Sequence, residues 1–353
     1  MRHQYANSIC RELTIRKNYI DEPVNTIYLG GGTPSQLGIE DLRHIFDTIS
    51  ENYIVESYDA IKPEITMECN PDDITDKFCH ELQTLPINRI SMGVQTFDDA
   101  RLQFLNRRHN ATQIPLAIER LRNAGIQNIS IDLMFGFPDE TVEQWEEDIN
   151  SALKLNVEHI SAYSLTYEEG TPLYNLLKSG KIRECDEEVS LAMYETLIEK
   201  LTANGFEHYE ISNFARPSFR SRHNSSYWKS VNYLGVGAAA HSFNGISRQW
   251  NVDNIQQYIA EIECGNVPFE REILTQDMKF DDIVMTRLRT AEGILLDDIH
   301  HSFGKEYVDF LLHESEKHIK EGFLYLSPNG KRLRLTKKGL FVSDAIMTDL
   351  MHV

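Results

Sequence analysis

Short apolar runs alternate with longer amphipathic stretches along the first two-thirds of the chain. Val24–Leu29 (VNTIYL) is β-branched and halts at Gly30-Gly31-Gly32, which predicts a strand closed by a turn. Leu42–Ile49 has helical spacing. Glu64–Glu68 (EITME) predicts a second strand, ended by Cys69-Asn70-Pro71, and Ile74–Leu85 a helix with Thr75 as N-cap. Arg89–Val94 and Asn128–Phe135 read as strands, with a helix over Ile114–Ala124 between them that Gly125 ends. Thr141–Leu155 is helical and His159–Leu165 a strand. Helices over Thr171–Lys178 and Glu187–Ala203 follow, then a short strand at Tyr209–Ile211. The N-terminal segment reads as a helix with Ile9, Leu13 and Ile15 near one face.

Such regular strand–helix alternation predicts a parallel sheet with helices outside it, as a (β/α) barrel or an open arc. The strands are apolar on both sides, as doubly covered strands are. After about Thr275 the pattern changes. Helices over Met278–Leu288 and Lys305–Lys320 precede two short strands, Phe323–Leu326 and Arg332–Leu335. These flank the turn Ser327-Pro328-Asn329-Gly330, and Lys338–Met351 reads as one closing helix. This predicts a small α+β domain resembling a winged helix. The organisation expected is a barrel over 1–205, a connecting region over 206–275 and the winged-helix-like domain over 276–353.

Composition narrows the partners. The 353 residues carry a net charge of −19, which disfavours nucleic acid and anionic membranes and makes the wing a structural or interaction element rather than a DNA reader. No apolar run is long enough to span a bilayer. Without a signal pattern, the five scattered cysteines are expected as free thiols in the cytoplasm.

In parallel α/β folds, ligands sit at the carboxyl ends of the strands. There the chain places Gly30 to Ser35, Glu68-Cys69-Asn70-Pro71, Gly93-Val94-Gln95, and Asp132 ahead of Gly136-Phe137-Pro138. Singly, the glycines are tight turns and Glu68 and Gln95 ordinary polar groups. Together they suit a small zwitterion with hydroxyls. Buried carboxylates require partners, and Arg107 is a candidate for Glu68 and Asp132.

The segments LGGGTPSQL, MECNP, SMGVQTF, LNRRH and IDLMFGFP, in that order, closely resemble the radical S-adenosylmethionine (SAM) core of the oxygen-independent coproporphyrinogen III oxidase-like proteins. The resemblance extends to LRLTKKGLFVSDAI near the C-terminus. It implies a partial (β/α)6 barrel, here without its first strand, that binds SAM through Gly31, Gly32, Thr33, Glu68, Gln95, Arg107 and Asp132. Within the family, His223-Asn224-Ser225-Ser226-Tyr227-Trp228 matches the HNxxYW motif of the haem-chaperone, HemW-like, branch. Tyr233 to Ser242 (YLGVGAAAHS) is also typical of that branch. The branch implies haem as ligand and haem-accepting proteins as partners. Imidazole ligates iron and aromatic rings pack on porphyrins, so His223, Tyr227, Trp228 and His241 are the haem candidates. In their plain readings, His223 hydrogen-bonds in a loop and His241 is a satisfied core histidine. The alternative functions are the oxidative decarboxylation of coproporphyrinogen III and a purely interacting barrel.

Radical SAM proteins hold a [4Fe–4S] cluster with CxxxCxxC after the first barrel strand, and no such motif occurs in this sequence. No catalytic or metal-ligating residue is therefore assigned. Residues 1–20 correspond to the helix after the cysteine loop. The chain is expected to begin just past that loop, with three explanations: a truncated start whose complete protein carries the cluster, which fits the intact SAM-facing motifs best, a naturally degenerate protein, or a cluster supplied some other way. The sheet edge beside Val24–Leu29 is then expected to be uncovered, open to pairing as in a homodimer.

Overall fold

The computed structural model describes residues 1–55 and 62–352. They fall into two compact units. The first comprises Met1–Ile27, Leu37–Pro63 and Arg222–Val353, and the second Tyr28–Gln36 and Glu64–Ser221.

A seven-stranded sheet is built from β1 (Thr26–Leu29), β2 (Glu64–Cys69), β3 (Arg89–Gln95), β4 (Asn128–Phe135), β5 (His159–Ser164), β6 (Glu207–Glu210) and β7 (Asn213–Ala215). Their order is β1-β2-β3-β4-β5-β7-β6, so β1 and β6 are the edges and the arrangement is open. Strands β2 to β5 run parallel. The expected short strand near Tyr209 is present as β6. It pairs antiparallel with β7, which pairs antiparallel with β5 and was not foreseen. Three residues are too few to display a period of two.

The sheet is buried on both faces. Ile90, Met92, Val94, Ile129, Ile131, Leu133 and Ile160 are all fully enclosed. Outside it, the helix Val142–Lys154 starts at a capping box between Thr141 and Gln144. Its Trp145 is fully buried and donates its indole N–H to the Met193 carbonyl, 3.0 Å away on the helix Glu187–Ala203.

His159 at the start of β5 is enclosed between two hydroxyls. Its Nδ1 lies 2.7 Å from Ser130 Oγ and its Nε2 2.7 Å from the Tyr209 hydroxyl. Burial holds the ring well below the usual histidine range, so it is neutral. The unfolded ring takes up a proton near pH 6.5. The stability this residue contributes is thus present above that value and lost as pH falls below it, by about 1 kcal/mol per pH unit. Melting curves at stepped pH are expected to fall more steeply below about pH 6.5 for the parent protein than for His159→Gln. Parallel curves would remove His159 as the cause.

In the first unit, β8 (His241–Phe243), β9 (Ser247–Asn251) and β10 (Phe269–Ile273) form an antiparallel sheet ordered β10-β9-β8. Helix Arg2–Ile15 lies against it. The buried face of this helix is Ala6, Cys10 and Leu13, at the i, i+4, i+7 spacing of one stripe, together with Glu12. Ile15, expected on that face, is 44% exposed.

The C-terminal part carries β11 (Ile294–Leu295), β12 (Leu324–Leu326) and β13 (Arg332–Leu335), ordered β11-β13-β12. Helices Gln276–Arg287, Leu296–Phe303 and Lys305–Lys320 surround a core of Phe280, Val284, Leu288, Ile299, Leu311 and Leu333. The Ser327–Gly330 turn joins β12 to β13, and Gly330 supplies the positive φ of 68° it needs. The expected single closing helix is two, Lys337–Phe341 and Ser343–Asp349. Val342 leaves helical geometry at φ −111° and ψ 23°. No helix among the described residues is long and apolar enough to cross a membrane.

Candidate functional site

The second unit gathers its polar groups at the C-terminal ends of the strands. After β1 the chain turns through Gly31 and Gly32, at φ 75° and 62°. Glu68 at the end of β2 holds this turn. One oxygen accepts the Gly31 N–H at 3.0 Å and the other the Tyr28 hydroxyl at 2.8 Å. A Cβ on Gly30 would stand 2.4 Å from the Tyr28 ring and 2.9 Å from Glu68, so this glycine is required by close approach. Thr33 closes the turn, its carbonyl accepting from the Gln36 N–H at 3.0 Å. Asp73 then ties the loop down, accepting from Ser35 and Gln36 while pairing with Arg108 at 3.0 Å.

On β3, a bulge between Gly93 and Gln95 ends the regular ladder. Gln95 sits at φ 70°, a conformation that side chains rarely adopt and that gathers at functional sites. A Cβ on Gly93 would touch Gln95 at 3.0 Å and Arg107 and Asn70 at 3.6 Å, so the missing side chain lets these three converge. Arg107 donates to Asn70 Oδ1 at 3.0 Å. It makes no ion pair with Glu68 or Asp132 among the described residues, contrary to the partnership expected, and acts on Asp132 through space.

Asp132 lies opposite Gly93 on one side and Ser161 on the other. Burial pushes its carboxyl up to about 6; Glu68 adds to the rise, while a hydrogen bond from Ser161 and the charges of Arg89 and Arg107 oppose it. The structure thus brings Gly31, Gly32, Glu68, Gln95, Arg107 and Asp132 to one sheet end. Asn70, expected at the end of the second strand, joins them, and Tyr28 and Ser161, which were not singled out from sequence, complete the set. The only sequence signal for Tyr28 is its position two residues before Gly30 on an alternating strand.

In the first unit, the helix Arg222–Trp228 carries the HNxxYW residues. His223 is engaged at both nitrogens, Nδ1 with Thr26 Oγ1 and Nε2 with the Tyr227 hydroxyl, each at 2.9 Å. Aromatic rings continue edge to face from Tyr227 to Tyr233 at 4.9 Å. Trp228 has the Arg289 guanidinium 5.3 Å over its ring and a buried indole N–H without a hydrogen-bond partner. His241 differs from the core histidine expected. It is exposed on β8, its ring lies 6.0 Å from Trp250 at 30°, and neither nitrogen makes a hydrogen bond among the described residues.

The cysteines do not come together. Cys10, Cys69 and Cys79 are buried, Cys185 half-buried and Cys264 exposed, and no group of three metal-ligating side chains exists among the described residues. Burial raises the thiols of Cys69 and Cys79, which keeps them protonated. These residues do not fit a [4Fe–4S] cluster.

The radical SAM superfamily model matches residues 11–152, and the HemN C-terminal domain model residues 274–342. The "Heme chaperone HemW" of Bacillus subtilis (strain 168) is 34% identical over 97% of this chain and 92% of its own length. The protein of the same description from Lactococcus lactis subsp. lactis (strain IL1403) is 32% identical over 97% and 88%. Among solved structures, coproporphyrinogen III oxidase (HemN) from Escherichia coli superposes with a TM-score of 0.84 over 99% of this chain and 83% of its own, at 21% identity.

Proposed function

This chain belongs to the radical SAM proteins of the HemW type, and from that premise we propose that it is a haem chaperone that binds SAM in its second unit and haem in its first. The observation that carries the haem reading is His241. An exposed imidazole with both nitrogens unengaged, stacked beside an indole, is ready to ligate iron without first breaking a hydrogen bond. His223 would have to give up Thr26 or Tyr227. In this reading His223 positions Tyr227 and the aromatic row, and His241 meets the metal. Delivery to haem-accepting proteins follows from the same surface, because a ligand held on exposed groups is within reach of a second protein.

Ferric haem titrations followed by absorbance test this. His241→Ala is expected to weaken binding by about tenfold or more, the loss of roughly 1.4 kcal/mol of ligation. His223→Ala is expected to change it less. The reverse ranking would move the ligand to His223, and no change in either would end the haem reading for this surface.

For SAM, the support is the glycine-lined turn fixed by Glu68, beside Gln95 and Asp132, whose carboxyl burial pushes up to about 6. Glu68 and Asp132 suit ribose hydroxyls or an ammonium group. Arg107 and the Asn70 amide suit a carboxylate. When bound, SAM supplies a sulfonium-activated adenosyl group. The residues of this chain bind and orient it, and no step through a cluster is derived.

A further inference from the structure

The antiparallel sheet of the first unit has two faces. His241 and Trp250 occupy one. Ser242, Gln249 and Asn251 occupy the other, toward the helix Arg2–Ile15, and there lies a separate cleft of about 590 Å³. Gln249 and Arg271 stand opposite each other in the β9–β10 register and both line it. Arg16, only 8% exposed, closes the inner end with its guanidinium 4.4 Å over the Tyr19 ring. The Tyr19 hydroxyl is buried without a hydrogen-bond partner, an uncommon condition for a phenol. Arg271 is exposed and enters no ion pair among the described residues. At the rim, Ile15 and Phe269 are 44% and 45% exposed. No lining residue is acidic, in a chain of net charge −19.

An acid-free cleft with arginines, amides and a buried phenol is rich in donors and holds no anionic acceptor to repel an oxyanion. We propose that it binds an amphipathic organic oxyanion, a carboxylate or phosphate on an apolar body. Arg271 meets the charge and the Tyr19 hydroxyl donates to an oxyanion oxygen. Ile15 and Phe269 cover the apolar part. Arg16 donates inward to Glu12, Gly235 and Ser242, so it frames the site and leaves the charge of the ligand to Arg271. This site is independent of the haem and SAM readings.

The test uses the full chain and the fluorescent probe anilinonaphthalene sulfonate, an aromatic body with one oxyanion. Saturable enhancement is expected, displaced by octanoate or octyl phosphate and not by octanol. The stronger displacer identifies the natural headgroup. Arg271→Glu is expected to weaken the probe about tenfold or more, and Tyr19→Phe severalfold, with circular dichroism unchanged in both. Unsaturable binding, equal displacement by octanol, or an unaltered affinity in Arg271→Glu would overturn the proposal.

Discussion

Glu12→Ala is expected to lower the unfolding free energy by about 3–5 kcal/mol, the cost of leaving a buried charge without its partner. Glu12 is wholly enclosed, and four donors converge on its two oxygens. Arg16 and the Asn251 amide donate to one, at 3.0 and 2.9 Å. The Gly237 N–H and the Tyr258 hydroxyl donate to the other, at 2.9 and 2.6 Å. Arg16 then extends to the Gly235 carbonyl and Ser242. Gly235 and Gly237 are required by contact: a Cβ on the first would stand 2.0 Å from the His241 carbonyl oxygen, and on the second 2.6 Å from the Tyr5 hydroxyl. The YLGVGAAAHS segment is therefore the socket of the N-terminal helix. Denaturant midpoints of Glu12→Ala measure the loss. The double variant with Arg16→Met should recover part of it, because no charge is then stranded. A loss below about 1 kcal/mol would show that water reaches the site and relieves Arg16.

Asp132→Asn is expected to act in opposite directions on binding and on stability. The carboxyl is pushed up to about 6 in the folded protein, chiefly by burial, and titrates near 3.9 when unfolded. Its favourable contribution is complete below the unfolded value and is lost as pH rises through about 6. At pH 7.5 the ionised group costs the fold roughly 3 kcal/mol, which the neutral amide does not. The variant should therefore melt higher at that pH and show less pH dependence between about 4 and 6. It should bind SAM roughly tenfold to a hundredfold more weakly, since a charged hydrogen-bond acceptor is lost. Equilibrium dialysis with SAM and melting curves on the same preparation read both effects. A variant that is less stable at pH 7.5 and binds as before would make Asp132 a structural carboxylate.

The sheet strands and most helices were legible because burial on both faces leaves unbroken apolar runs between glycine and proline stops. Asn128–Phe135 and Glu187–Ala203 agree with their predicted limits to the residue. The site was legible as a set of strand ends. Its pairings were not, because register is a property of two strands: nothing in one sequence sets Ser161 beside Asp132 or Tyr28 on Glu68. His241 was misjudged because the alanines before it suggest a core strand, whereas they form the turn entering a sheet edge. Glu12 escaped notice because a charged residue amid polar ones reads as solvent-facing until its distant partners are known.

The enclosure of Trp145 has a spectroscopic consequence. Of the three tryptophans, it is the one in the second unit, while Trp228 and Trp250 belong to the first. Its indole sees no solvent and its N–H is bound, so its emission lies to the blue of the other two. With Trp228 and Trp250 replaced by phenylalanine, the tryptophan emission of the chain comes from the parallel sheet's unit alone. The melting of that unit could then be followed apart from the first, without a label.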